Sequence, residues 1–143
     1  MKFDNYMILN FPSRSSNEAF ARSAVACFAV QMDPTIEELG DIRTAVSEAV
    51  TNAIVHAYPD KIGNIVLRCR ILKDNILDIT VKDKGIGIPD IMQTRTAMFT
   101  TGGSERSGMG FTIMESFMTE FSVTSKPGVG TTIHMKRKLQ RRR

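Results

Sequence analysis

The chain is predicted to fold as a single α/β domain in which strands and helices alternate along the sequence. Two periodicities carry that prediction. Apolar residues recur at helical steps in the segments opened by Ser15 and Thr35, whereas 76–83 alternates apolar and polar residues, as a half-buried strand does. A length of 143 residues suits one domain with a sizeable core, and 42% hydrophobic with 24% charged residues is ordinary for a soluble globular protein. No internal repeat or low-complexity linker divides it.

Tyr6 to Phe11 reads as a first strand. Ser15-Ser16-Asn17-Glu18 has the spacing of a capping box and opens a helix whose Phe20, Ala24, Cys27, Phe28 and Met32 form a stripe expected to face the core. The opposite sector carries Glu18, Arg22, Val25 and Ala29, a mixture that fits either a solvated face or a partner surface. Asp33-Pro34 breaks the chain, and Thr35-Ile36-Glu37-Glu38 forms a second capping box, leading a helix to about His56. Asn64 to Leu72 and Ile76 to Asp83 read as strands joined by Lys73-Asp74-Asn75. Gly108-Met109-Gly110 opens a further amphipathic helix with a stripe of Ile113, Met114, Phe117 and Met118. Phe121 to Ser125 and Thr131 to Met135 close the domain around the turn Lys126-Pro127-Gly128.

The formal net charge of +4 arises at the end of the sequence. Six of the 19 basic residues stand in 136–143, leaving 13 against 15 acidic residues before them. Without interleaved aromatics, that basic tail reads as a solvated terminus and no direct nucleic-acid binding is expected. Cys27 and Cys69 belong to no Cys-x-x-Cys pair, so reduced thiols are the expectation. The longest apolar run, Ala24 to Val30, is too short to span a bilayer, and a cytoplasmic protein without membrane contact is expected.

The chemistry centres on the second helix. Glu48 and Asn52 stand four residues apart and project side by side, a carboxylate that can act as a base beside a carboxamide that can ligate Mg²⁺. Their sector also holds Ala45 and Ala49, which leave room for a ligand, and Asn52 is a poor choice for a merely solvated helix interior. His56 reads as a helix-end residue rather than a metal ligand. Leu77, Ile79, Val81 and Asp83 share one strand face, so the Asp83 carboxylate points to the apolar side, where it can accept from an adenine amino group. Gly85 and Gly87 follow and let backbone approach a flat ligand. Gly103 to Gly108 has the glycine spacing of a phosphate loop, but Met109 stands where the lysine belongs, so that reading fails. A helix opening at Gly108 can receive phosphate oxygens instead.

The order Glu48-x-x-x-Asn52, Asp83-x-Gly85-x-Gly87, Gly108-x-Gly110 and Gly130-Thr131 resembles the GHKL ATP-binding superfamily. Glu48 to Ile54, Phe99-Thr100-Thr101, Arg106 to Glu115 and Gly130-Thr131-Thr132 narrow the resemblance to the anti-sigma-factor serine kinases, in the branch that acts in sporulation. The resemblance spans nearly the whole chain, read as one domain over 1–143. It implies the Bergerat-type ATP fold, a two-layer sandwich with a mixed sheet and helices on one face. It further implies Glu48 as general base, with Arg106 near the γ-phosphate. By the same resemblance Asn52 would be the Mg²⁺ ligand, and Asp83 with Thr131 would sit at the adenine, over Gly85 and Gly87. Gly108 and Gly110 would admit the phosphates, and Thr100 and Thr101 would belong to the nucleotide site. The partners it implies are a sigma factor, an anti-anti-sigma protein phosphorylated on serine, and a second copy of the chain, with ATP and Mg²⁺ required. Glu18 and Arg22 are the candidate partner contacts.

Two departures accompany the resemblance. The segment Thr100-Thr101-Gly102-Gly103-Ser104-Glu105 is shorter than the usual lid and lacks its lysine and proline, and Ala57 replaces a glycine. Two other functions compete: a non-catalytic nucleotide-dependent binding module, which would not need Glu48, and the ATP-binding fragment of a histidine kinase or clamp ATPase. The latter lacks support because only His56 and His134 are available, with no helical hairpin to present a phospho-acceptor.

Overall fold

The computed structural model describes residues 3–87 and 105–140. Strand β1 (Phe3–Pro12) leads into helix α1 (Ser16–Ala29), a 3₁₀ turn over Val30–Met32, and helix α2 (Ile36–Asn52), which continues as a π-helical turn over Ala53–Ala57. The hairpin of β2 (Asn64–Leu72) and β3 (Ile76–Asp83) follows, then α3 (Glu105–Phe117) and the hairpin of β4 (Glu120–Lys126) and β5 (Gly130–Lys138). The five strands form one sheet in the order β1-β2-β3-β5-β4. The helices cover one face. No helix among the described residues is long and apolar enough to cross a membrane.

The two-layer sandwich stands, but the sheet is not mixed: all four pairings among the described residues are antiparallel. Strand β4 does run in the same direction as β3. The tight β4–β5 hairpin, however, inserts β5 between them, so the two never pair. The β2–β3 hairpin turns through Asp74 and Asn75, both at positive φ, the backbone that matches the right-handed twist of the flanking strands.

Helix α2 begins as its sequence predicts. The Thr35 hydroxyl accepts from Glu38 N at 3.0 Å and the Glu38 carboxylate accepts from Thr35 N at 2.9 Å. Ile42, Val46 and Val50 then bury one side of α2 in the core beside Ile65, Leu67, Leu77, Ile79 and Met135. Helix α3 contributes Phe111 and Met114, and Met118 just past its end is also buried, with Ile113 and Phe117 only half-buried.

Helix α1 departs from expectation in two respects. Ser15 has helical φ and ψ and makes no side-chain cap, so the first capping box does not form. Glu18 turns instead to Arg22, at 3.5 Å. The buried face is Ala21, Val25 and Ala29, whereas Phe20 is 53% exposed and Cys27 is exposed. Small side chains let α1 approach α2 closely, and close approach outweighs burial of the bulkier stripe. Val25 and Ala29 therefore do not share a free surface with Glu18 and Arg22.

The basic segment is also not simply a solvated tail. Lys136, Arg137 and Lys138 belong to β5, where Arg137 shares the inward parity of Ile133 and Met135 and donates to Asp41 at 2.8 Å and to the Phe117 carbonyl at 2.6 Å. On the helix-free face, Asp78 is fully buried, with Oδ2 accepting from Arg70 Nε at 2.8 Å and Oδ1 bonded to His134. Neither cluster is evident from spacing.

Candidate nucleotide site

The last turns of α2 present Glu48 and Asn52 toward α3. An ideal Cβ placed on the buried Gly110 would stand 3.0 Å from Glu48 Oε1 and 3.6 Å from Asn52 Nδ2, so the two side chains converge on one point of α3. Glycine there is a matter of space. The Asn52 Nδ2 is buried and has no hydrogen-bond partner among the described residues, an uncompensated amide of the kind that costs stability unless a ligand completes it. Directly after Asn52 the helix widens into its π-turn, a distortion often found at functional sites. That turn brings Ala53, His56 and Ala57 to a cavity also lined by Ala49, Val81 and Asp83.

Asp83 ends β3 on the inner face, as the alternation of its strand predicts, and is 7% exposed. Its Oδ1 accepts from Gly85 N at 2.9 Å and from Thr131 N at 3.2 Å. No hydrogen bond engages Oδ2 among the described residues. Burial raises the Asp83 pKa above the ordinary carboxylate value, and the two backbone donors pull it partly back. A ligand that needs the ionised carboxylate therefore loses affinity as pH falls through that raised value.

The strand exit is pinned from three sides. Any Cβ on Gly85 would collide with the Ala57 carbonyl, which accepts from Ile86 N at 3.0 Å. Gly87, at φ +79, lies against the Lys126 backbone. The buried Tyr58 hydroxyl donates to the Asn64 carbonyl and accepts from Lys84 N, both at 2.7 Å. Tyr58 was not singled out by the sequence, because nothing in its neighbourhood signals a clamp across three elements. Thr131, opposite Asp83 in the sheet, is also buried and lines the cavity.

Of the predicted residues, Asn52, Asp83, Gly87 and Thr131 line one cavity, while Glu48 and Gly110 meet beside Asn52 and Gly85 donates to Asp83 without lining it. The cavity volume of about 30 Å³ admits water but no purine. Helix α3 starts at Glu105 rather than Gly108. Gly108 and Gly110 therefore both lie beyond the leading N–H groups that have no intrahelical acceptor, and Gly110 contributes only its lack of a side chain. Arg106 lies in the first turn of α3. Thr100 and Thr101 lie outside the described residues. Glu18 and Arg22 stand apart on α1, where Arg22 joins Gly40, Arg43, Thr44 and Ser47 along a groove between α1 and α2.

A sheet covered on one face by three helices, with a carboxylate and an amide facing a glycine and a strand-end aspartate across the cavity, defines a class that sequence comparison identifies. The histidine kinase-like ATPase domain family matches residues 11–137. Among solved structures, a blue-light activated histidine kinase of Erythrobacter litoralis is 30% identical with a TM-score of 0.59, over 75% of this chain and 32% of that one. The RsbU and RsbW domains of a Mycobacterium tuberculosis protein superpose over 97% of this chain and 34% of theirs, with a TM-score of 0.73 at 18% identity, which supports the fold alone. The particular relatives are full-length. The anti-sigma F factor of Caldanaerobacter subterraneus subsp. tengcongensis is 54% identical over 100% of both chains, and that of Geobacillus kaustophilus is 52% identical over 93% of this chain and 92% of its own. Within the histidine kinase-like ATPases, the chain belongs to the anti-sigma F factor family.

Proposed function

We propose that the protein is an ATP-dependent protein-serine kinase that also binds and inhibits a sporulation sigma factor, its phosphoryl acceptor being a serine of an anti-anti-sigma protein. The convergence of Glu48 and the unpartnered Asn52 amide on Gly110 carries this reading. Pure nucleotide binding does not need a carboxylate at that point. Phosphoryl transfer does, because the serine hydroxyl has to give up a proton as the γ-phosphoryl arrives. Glu48 accepts that proton, the first N–H groups of α3 and Arg106 attend the phosphate charge, and Asp83 fixes the base through Oδ2, which carries no hydrogen bond among the described residues. Asn52 and phosphate oxygens would hold Mg²⁺, which neutralises developing phosphate charge and suits a site with few protein ligands. The names of the full-length relatives support the sigma-factor partner. A homodimer and a cytoplasmic location belong to the same reading.

Incubation with labelled ATP, Mg²⁺ and the anti-anti-sigma protein tests it: the label is expected on one serine of that protein. Label retained on this chain, or none transferred, overturns the kinase assignment. At the base end, Asp83→Asn weakens ATP by about 10–100-fold, the worth of a charge-assisted hydrogen bond, and weakens GTP less. Titration of both nucleotides checks this; equal losses would make Asp83 a turn residue only.

The partner surface is proposed at Arg22, beside the α1–α2 groove, even though Val25 and Ala29 are buried and cannot contribute. Reversing its charge in Arg22→Glu brings like charges together at an interface and is expected to abolish capture of at least one protein partner, at a cost of several kcal/mol. ATP affinity stays unchanged because α1 contributes no residue to the cavity. Pull-down and nucleotide titration on one preparation decide it, and intact capture of both partners returns Arg22 to a solvated role.

A further inference from the structure

Ser125, Thr131 and Asp83 form a row across three strands at the sheet end of the cavity, Ser125 opposite Thr131 in the β4–β5 pair and Thr131 opposite Asp83 in the β3–β5 pair. The Ser125 Oγ lies 2.7 Å from Thr131 Oγ1 and 3.2 Å from the Gly130 carbonyl oxygen. A hydroxyl carries one proton and a carbonyl carries none to give. The contact with Gly130 therefore uses the Ser125 proton, and the shorter contact uses that of Thr131. Only this arrangement makes both contacts hydrogen bonds. Its consequence is directional: with its proton committed to Ser125, Thr131 Oγ1 offers only lone pairs to the cavity. The ionised Asp83, whose Oδ2 carries no hydrogen bond among the described residues, likewise only accepts.

We infer that Ser125 is a specificity-determining positioning residue, which holds the Thr131 hydroxyl as an acceptor and so selects purines with an amino group at C6 over those with an oxo group there. The inference rests on the proposed ATP reading. A 6-amino group donates into this acceptor pair. A 6-oxo group sets acceptor against acceptor, and a site whose buried polar groups are left mismatched rejects the analogue strongly. Ser125 does not line the cavity; it acts through Thr131.

The test compares binding of ATP and inosine triphosphate, which differ at C6 without the extra 2-amino group of guanine. The wild-type protein is expected to prefer ATP. Ser125→Ala releases the Thr131 proton to rotate toward a 6-oxo group, and the preference falls about tenfold, mainly through tighter inosine triphosphate binding, as one hydrogen bond gained or lost dictates. Ser125→Thr keeps the hydroxyl and restores the preference. Thr131→Val, which removes the acceptor outright, lowers it independently of how Ser125→Ala folds. An unchanged ratio in a folded Ser125→Ala protein, or equal weakening of both nucleotides, overturns the inference while leaving ATP binding in place. A wild-type protein that binds neither nucleotide overturns the ATP reading itself.

Discussion

Glu48→Ala slows transfer of the γ-phosphoryl group to the protein acceptor by about 10²–10⁴-fold, the usual loss when a positioned general base is removed. Nucleotide affinity stays within a few-fold of wild type, because the contacts proposed for the adenine base are at Asp83 and Thr131, away from Glu48. The 3.0 Å approach of Glu48 Oε1 to the Gly110 Cβ position makes the variant informative about packing as well. Removing the carboxylate leaves space beside Gly110 and breaks no hydrogen bond or ion pair among the described residues. Single-turnover phosphorylation measured beside ATP titration separates the two effects. A rate within threefold of wild type would take the proton-accepting role away from Glu48.

Asp78→Ala lowers folding stability by about 3 kcal/mol, at the low end of the cost of breaking a buried ion pair. The Asp78 side chain is wholly buried, yet it lies on the face that carries no helix. Arg70, through both Nε and Nη2 at 2.8 Å, and His134 enclose it, with Arg68 farther off at 3.9 Å. Without the carboxylate, Arg70 keeps its charge in a mostly buried position and loses the Oδ2 that its Nε and Nη2 share. Urea denaturation measures the change, read from the midpoint at constant slope. Replacing Asp78 and Arg70 together by Leu and Met recovers most of the loss, since desolvation of the pair offsets much of its attraction. A loss below 1 kcal/mol for Asp78→Ala would show that solvent already screens the cluster.

Much of the site was legible because local rules govern it. A capping box, a four-residue spacing on a helix and strand parity placed Thr35, Glu48, Asn52 and Asp83 correctly. The strands at Asn64–Leu72 and Ile76–Asp83 have the expected limits. What failed depends on non-local competition. Helix α1 has two candidate apolar faces, and tertiary packing buried the one with smaller residues, a choice that no single-helix periodicity encodes. Pairing direction in the sheet was set by the β4–β5 hairpin taking the place beside β3, so a strand parallel to β3 exists without a parallel pair. Charge counting merged Arg137 with the residues that follow it, although its inward parity commits it to Asp41. Tyr58 bonds Asn64 at the start of β2 and Lys84 just past β3, and Ser125 bonds Thr131 across the β4–β5 hairpin; neither pairing has a local sequence signature.

The second oxygen of Glu38 gives the end of the fold an architectural role. While one oxygen caps α2, the other accepts from Gln140 N at 2.8 Å; Leu139 is buried, and Asn75 exchanges hydrogen bonds with its backbone. Residues 139–140 are thus fastened to the first turn of the helix that carries Glu48 and Asn52 at its far end. A reporter, affinity handle or crosslinker joined upstream of Gln140 would pull on the keystone of that helix, whereas one joined beyond it leaves the fastening undisturbed.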